Sequence, residues 1–220
     1  LFRKSYPKDK YPNVDFYEKI EDIGDYDYYV LACDIPLYLN MDFNHIPFSS
    51  GYLTYDIAKK DYFKEKYFKT DKLKVGLCWK AGGAGMRAAI NRTINIEYFK
   101  KLLEFKKIQF YSFQLEDFFD GVKKYPQITD LEPELKSFDD TAAAMSNLDL
   151  LITADTACLH LAGSLGIKTY LLIPYCADWR WFNNEHSTEW YNSVELFKQK
   201  DRQDWFIEVD RLCEKLKDYE

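Results

Sequence analysis

The chain has 220 residues, 47% of them hydrophobic and 18% aromatic, with a formal net charge of −6; this allows one large domain, or one domain plus part of another, with a full core. The negative balance argues against a general nucleic-acid binder held by phosphate contacts. No apolar run approaches the length of a bilayer span, and the opening LFRKSYPKDK lacks both the apolar core of a signal peptide and an initiator Met, as a fragment or a processed start would.

Residues 1–27 are polar and Tyr-rich without a clean period. Tyr28–Cys33 (YYVLAC) predicts a strand, and a loop broken by Pro36 and Pro47 follows. This opening third has too few apolar runs to close a domain, and reads as the tail of one that begins upstream. Ile57–Lys69 mixes aromatics and lysines at helical spacing, which suits a surface helix or a hinge between lobes, its charges forming a solvated face. At Lys74 the character changes. Lys74–Trp79 (KVGLCW) predicts a strand, and a loop with Gly82, Gly83 and Gly85 follows it. Asn95 then caps a predicted helix carrying Ile96, Phe99, Leu102 and Leu103. Ile108–Phe113 and Ile128–Leu131 are further strands, and TAAAMSNL a short helix behind Asp139 and Asp140.

Leu148–Pro174 reads as strand, turn, short helix, strand. Leu148–Thr153 is too short for a helix, Asp155 and Thr156 stand where a helix begins, and Gly166 sits where its end needs positive φ. Lys168–Ile173 is the next strand. A long aromatic loop leads to a strand at Val194–Phe197 and a closing helix over Asp204–Lys217. The alternation predicts an α/β fold, a doubly wound parallel sheet of Rossmann-like kind. Ligands on such sheets sit at the carboxyl ends of the strands. The candidate polar residues all fall there, after Trp79, Phe113, Thr153 and Pro174.

The helix beginning at Thr156 and Ala157 offers N–H groups and a dipole to an anion. Thr156, His160, Gly163 and Ser164 follow on one face and would leave room for a ligand against the backbone. Asp155 would repel a diphosphate, so it is expected to cap the helix or bind a sugar hydroxyl. An ordinary capped helix with a satisfied core histidine is the alternative. The glycines after Trp79 form neither a GxGxxG fingerprint nor a P-loop. Lys80, Arg87 and Arg92 are the cations an anionic ligand would need, with solvent-facing charge as the alternative for Lys80 and Arg87. Asp178, Trp179, Arg180 and Trp181 form a cluster that could stack a nucleobase and reach a phosphate, or cover the sheet edge; Trp190 and Tyr191 read as packing, and His45 and His186 have no partner in view. The five cysteines (Cys33, Cys78, Cys158, Cys176, Cys213) lack paired metal-ligand spacing, so buried free thiols in a reducing compartment and no metal site are expected.

VGLCW, the Gly-rich loop ending in NRTI, FYSFQ, LDLLITADTACLHLAGSLG, DWRWF and WYNSVELFKQ together resemble the C-terminal half of a family 9-type, heptosyltransferase-like glycosyltransferase, of the bacterial kind often found with tetratricopeptide repeats. The likeness covers nearly all of Lys74–Lys217 and is weaker before it; ADTACLHLAG is its specific part. It implies the C-terminal lobe of a GT-B fold, with residues 1–55 as the incomplete end of an N-terminal lobe and crossover, 56–72 as a linker helix and 73–220 as the nucleotide-sugar-binding domain. Carried across, it makes Asp155, Thr156, Ala157, His160, Arg92, Lys80 and Gln114 the donor and phosphate contacts, and Asp178, Trp179 and Arg180 the nucleobase or sugar contacts. It implies no obligatory metal or cofactor, an ADP-heptose-like donor, and a glycan or protein acceptor. It also implies a general base from an N-terminal lobe not present in this stretch, and a cytoplasmic site, with peripheral attachment to the inner face of a membrane left open. The poverty of charge in GGAGMRAAIN departs from the family pattern at Lys80 and Arg87. Two other readings remain beside it: a non-catalytic nucleotide-sugar-binding or protein-interaction lobe, and an unrelated Rossmann-like binding domain.

Overall fold

The computed structural model describes residues 1–42, 46–47, 49–82, 91–115, 122–181, 184–202 and 204–219. The strands are β1 Leu73–Cys78, β2 Ile108–Ser112, β3 Ile128–Asp130, β4 Leu150–Ala154, β5 Thr169–Ile173 and β6 Val194–Lys198. They form one sheet of order β3-β2-β1-β4-β5-β6 in which every pairing is parallel. Sheets of this kind need both faces covered, which is why the strands read as near-continuous apolar runs.

Alternation along each strand sorts the core into layers. On one face Val75, Leu77, Phe110, Ile152, Leu172 and Phe197 pack with Ile94, Phe99 and Leu102 and with helix α4 (Phe206–Lys215) through Val209, Leu212 and Cys213. On the other, Cys78, Tyr111 and Leu151 meet helices α1 (Ile57–Tyr67) and α2 (Phe138–Met145). Helix α3 (Ala157–Ser164) crosses from β4 to β5, with Leu161 in that layer and Leu159 against Leu171, Ile173 and Trp181. Helix α1 is capped by Asp56, which accepts from the Lys59 N–H, and anchors through the buried Phe63.

Two sequence expectations are corrected. Tyr28–Cys33 is not a strand: Tyr28 is 92% exposed, and the segment runs into a 3-10 turn at Ala32–Asp34. A β-prone run needs a partner edge, and the sheet gives it none. The helix expected from Asn95 is split into 3-10 turns, Ile96–Phe99 and Leu102–Glu104. Asn95 does cap the first, accepting from the Glu97 N–H at 3.0 Å, and the predicted apolar positions are buried. The periodicity located the buried stripe but not the hydrogen-bond pattern. Gly83, Gly85, Arg87 and His45 lie outside the described residues.

The first residues are tied to this lobe by ion pairs and backbone bonds. Lys4 bridges Asp56 and Asp139, and Lys59 pairs with Asp140. The N–H groups of Tyr52 and Leu53 both donate to the Ser164 carbonyl at the end of α3.

Candidate functional site

In this strand order, connections from β1 turn one way and those from β4 the other, so a crevice opens outside the carboxyl ends of β1 and β4. Residues 79–81 leave β1 there, and residues 155–157 leave β4.

Thr156, with extended backbone, is the N-cap residue of α3, and its side chain makes no capping hydrogen bond. Its hydroxyl lies 3.3 Å from Thr153 Oγ1 and 3.5 Å from Cys78 Sγ. The helix thus begins without the side-chain acceptor that satisfies most helix starts. Its far end is closed by a Schellman arrangement: Gly166, at φ +72°, donates to the Gly163 carbonyl, and Ile167 donates to Ala162. Gly166 therefore stands where the sequence placed it, and for the expected reason.

Asp155 does not cap α3. The carboxyl is 1% exposed, and Oδ2 accepts from the indole Nε1–H of Trp181 at 3.0 Å. Oδ1 has no hydrogen-bond partner among the described residues, and lies 3.9 Å from His160 Nε2. Trp181 is therefore more than cover for the sheet edge: it fixes the carboxyl beside the helix mouth. On the other flank, Arg92 reaches across from the segment after β1 and donates through Nη1 to the Asp155 carbonyl at 3.0 Å. A cation is thus held at the turn into α3.

His160 lies one turn into the helix. Arg180 Nη1 is 3.2 Å from its Nε2, and Tyr191 Oη is 3.0 Å from its Nδ1. Since a guanidinium only donates, Nε2 must accept and Nδ1 must carry the proton, donated to the tyrosine oxygen. Burial lowers the imidazole's pKa below its ordinary value; Asp155 opposes the shift, and Arg180 and Arg92 add to it. Arg180 is itself steadied by Asp178, whose Oδ1 accepts from Nε at 2.9 Å. Trp179 is exposed at the rim of the same turn.

Gln114, two residues beyond β2, brackets the loop leaving β1. Its Oε1 accepts from the backbone N–H groups of Trp79 (3.2 Å) and Lys80 (2.7 Å), and its Nε2 donates to the carbonyls of Lys80 and Leu115. The amide thereby fixes the Lys80 backbone at the crevice. Beneath the mouth, the neighbouring thiols Cys78 and Cys158 influence each other, lowering the pKa of Cys78 and raising that of Cys158, whose Sγ donates to the Phe113 carbonyl at 3.7 Å. Among all five cysteines, which are free, Cys33 and Cys176 are exposed rather than buried.

The small pair on α3 does not make room for a ligand. A Cβ on Gly163 would lie 2.4 Å from the Tyr191 ring, so the missing side chain admits that tyrosine. Ser164 Oγ donates to the His160 carbonyl at 2.7 Å and lies 2.8 Å from the Tyr52 hydroxyl. Tyr191, which reads as packing in the sequence, is the group that holds the His160 tautomer. Its own signal was the Gly163 opposite it, visible only once the fold brings β6's approach beside α3. Among the described residues no group of His, Cys, Asp or Glu side chains is arranged to hold a metal, and no helix is long and apolar enough to cross a membrane.

No protein-family model matches the sequence, and neither does any curated protein. Solved structures do match the fold. The E. coli ADP-heptose LPS heptosyltransferase II superposes with a TM-score of 0.53 at 14% identity, over 76% of this chain and 52% of that one. A glycosyl transferase family 9 protein from Veillonella parvula DSM 2008 gives 0.43 at 15%, over 76% and 46%. The chain spans about half the length of each. The likeness is one of fold alone: a Rossmann-like α/β lobe.

Proposed function

We propose that this chain is the donor-binding lobe of a GT-B glycosyltransferase, and that it seats the diphosphate of a nucleotide sugar at the mouth of α3. One observation carries the reading. At the switch point between β1 and β4, Thr156 leaves the start of α3 without a side-chain cap, Arg92 donates to the Asp155 carbonyl beside it, and Gln114 brackets the Lys80 backbone at the tip of β1. Oriented N–H groups and a fixed cation are what a leaving diphosphate requires, and they stabilise it without rearranging during transfer. Asp155 is buried and held by Trp181 away from the amides, so its carboxylate does not occupy the helix mouth in place of a diphosphate. An ADP-heptose-like donor and a glycan or protein acceptor fit the resemblance in sequence and the heptosyltransferase-like fold.

His160 is a positioning group in this scheme. Both ring nitrogens are engaged, by Tyr191 and Arg180, so it is not poised to take a proton from an acceptor hydroxyl. That observation favours, as a second reading, a lobe that binds the nucleotide sugar while the base comes from elsewhere. Calorimetric titration with ADP, UDP and GDP tests the seat. Saturable binding to at least one, weakened tenfold or more in Arg92→Ala, is the expected result; no binding of any of them leaves a layered domain without this function.

A further inference from the structure

A second recess opens at the carboxyl edge of the sheet, beyond β5 and β6. It encloses about 420 Å³ between the segment after the Gly-rich loop and the turns that follow Pro174 and Gln199, a volume within the range of small-molecule pockets. The strip from Asn91 to Asn95 explains how it arises. Asn91, Thr93 and Asn95 line the recess, Ile94 goes into the core with no exposed surface, and Arg92 reaches to the Asp155 carbonyl at the helix mouth. One short segment therefore serves two neighbouring places, with a polar edge toward one and a cation toward the other.

The rest of the lining mixes aromatic side chains with Pro174, Cys176, Gln199 and Arg202. Tyr175 and Trp205 are among the walls. Gln199 ties them together: its Oε1 accepts from the Tyr175 N–H at 3.1 Å, and its Nε2 donates to the Asp204 carbonyl at 2.8 Å, next to Trp205. The Arg202 guanidinium lies over the Tyr175 ring, 5.1 Å from its centre. Among the described residues the lining holds no acidic side chain and no lysine, and Arg202 is its one charge. Amides at the edge suit hydroxyls, since each offers both donors and an acceptor, while the Tyr175 ring, 48% exposed beside the buried Trp205, suits the apolar face of a pyranose.

From this we infer that the recess is a saccharide subsite, separate from the helix mouth and joined to it by the strip 91–95. Calling that saccharide the acceptor end of the reaction rests on the glycosyltransferase reading above; the subsite itself does not. The test is saturation-transfer NMR on the chain with methyl glucoside, galactoside, mannoside and glucuronide, in wild type, Tyr175→Ala, Arg202→Gln and Thr156→Ala. Tyr175 and Arg202 are exposed, so their variants should fold, and unchanged far-ultraviolet dichroism checks this. At least one glycoside should bind saturably, weaken tenfold or more in Tyr175→Ala and threefold or more in Arg202→Gln, and be unaffected in Thr156→Ala. Absence of saturable binding, insensitivity to Tyr175→Ala, or displacement of the glycoside by adenosine would overturn the proposal. ADP binding measured on the same proteins separates the two readings. If ADP binds and no glycoside does, the subsite falls alone; if a glycoside binds and ADP does not, the donor reading falls alone.

Discussion

Replacing Trp181 by Phe should expose how the mouth of α3 is held open. The indole N–H is the only hydrogen-bond donor to the Asp155 carboxyl among the described residues, and both residues are 1% exposed. A hydrogen bond to a charged group is worth about 1.5–3 kcal/mol net, and leaving a buried acceptor without one forfeits at least that much. The smaller ring adds a partial void, for about 1–2 kcal/mol more. We expect a total near 3–4 kcal/mol, read as a lower urea midpoint at unchanged slope, and a fall in Tm of about 2–4 °C for each kcal/mol in a chain of this size. A double-mutant cycle with Asp155→Ala separates the hydrogen bond from the void, and its coupling should be about 1.5–3 kcal/mol. The released carboxyl would also be free to turn toward the N–H groups of α3, so ADP affinity should fall with stability. A coupling below about 0.5 kcal/mol would refute the reasoning.

Other consequences can be checked in the same way. Gly163→Ala drives a methyl into the Tyr191 ring at 2.4 Å, and should cost about 1–3 kcal/mol as overpacking, measured by chemical denaturation. Gln114→Ala strips the Trp79 and Lys80 N–H groups of their acceptor; about 1–3 kcal/mol should be lost, with faster amide exchange at both residues. Because the folded pKa of His160 lies below 6.5, the unfolded chain takes up the proton first. Its contribution is therefore present above pH 6.5 and lost as pH falls from there toward the folded value. His160→Gln should flatten that part of the stability profile. A bound diphosphate should raise the same pKa, so ADP binding at pH 6 should take up protons, seen as a buffer-dependent heat in calorimetry.

Much of the fold was legible because a buried parallel strand announces itself. Leu148–Thr153 and Lys168–Ile173 are apolar runs too short for helices, and both are strands within two residues of their expected ends. Gly166 marked the end of α3 because no other residue takes positive φ so cheaply. YYVLAC misled because β-propensity describes a half-buried pleated surface, and the sheet offered this segment no edge. Within the site, the carboxyl-edge rule brought together Asp155, Thr156, Arg92, His160 and Gln114, while the partners that hold them stayed hidden. Trp181 and Tyr191 lie 26 and 31 residues from the groups they bind, a separation no local pattern encodes. The role of Gln114 as a bracket for the β1 loop depended on three-dimensional proximity in the same way.

The seat of the diphosphate is tested most directly by following backbone amide shifts while ADP is added. The largest changes should fall on Ala157, Cys158 and Lys80 and on the Arg92 side-chain N–H, saturating at a single affinity. Changes confined to residues away from the β1 and β4 tips, with the start of α3 unmoved, would contradict the account at its centre.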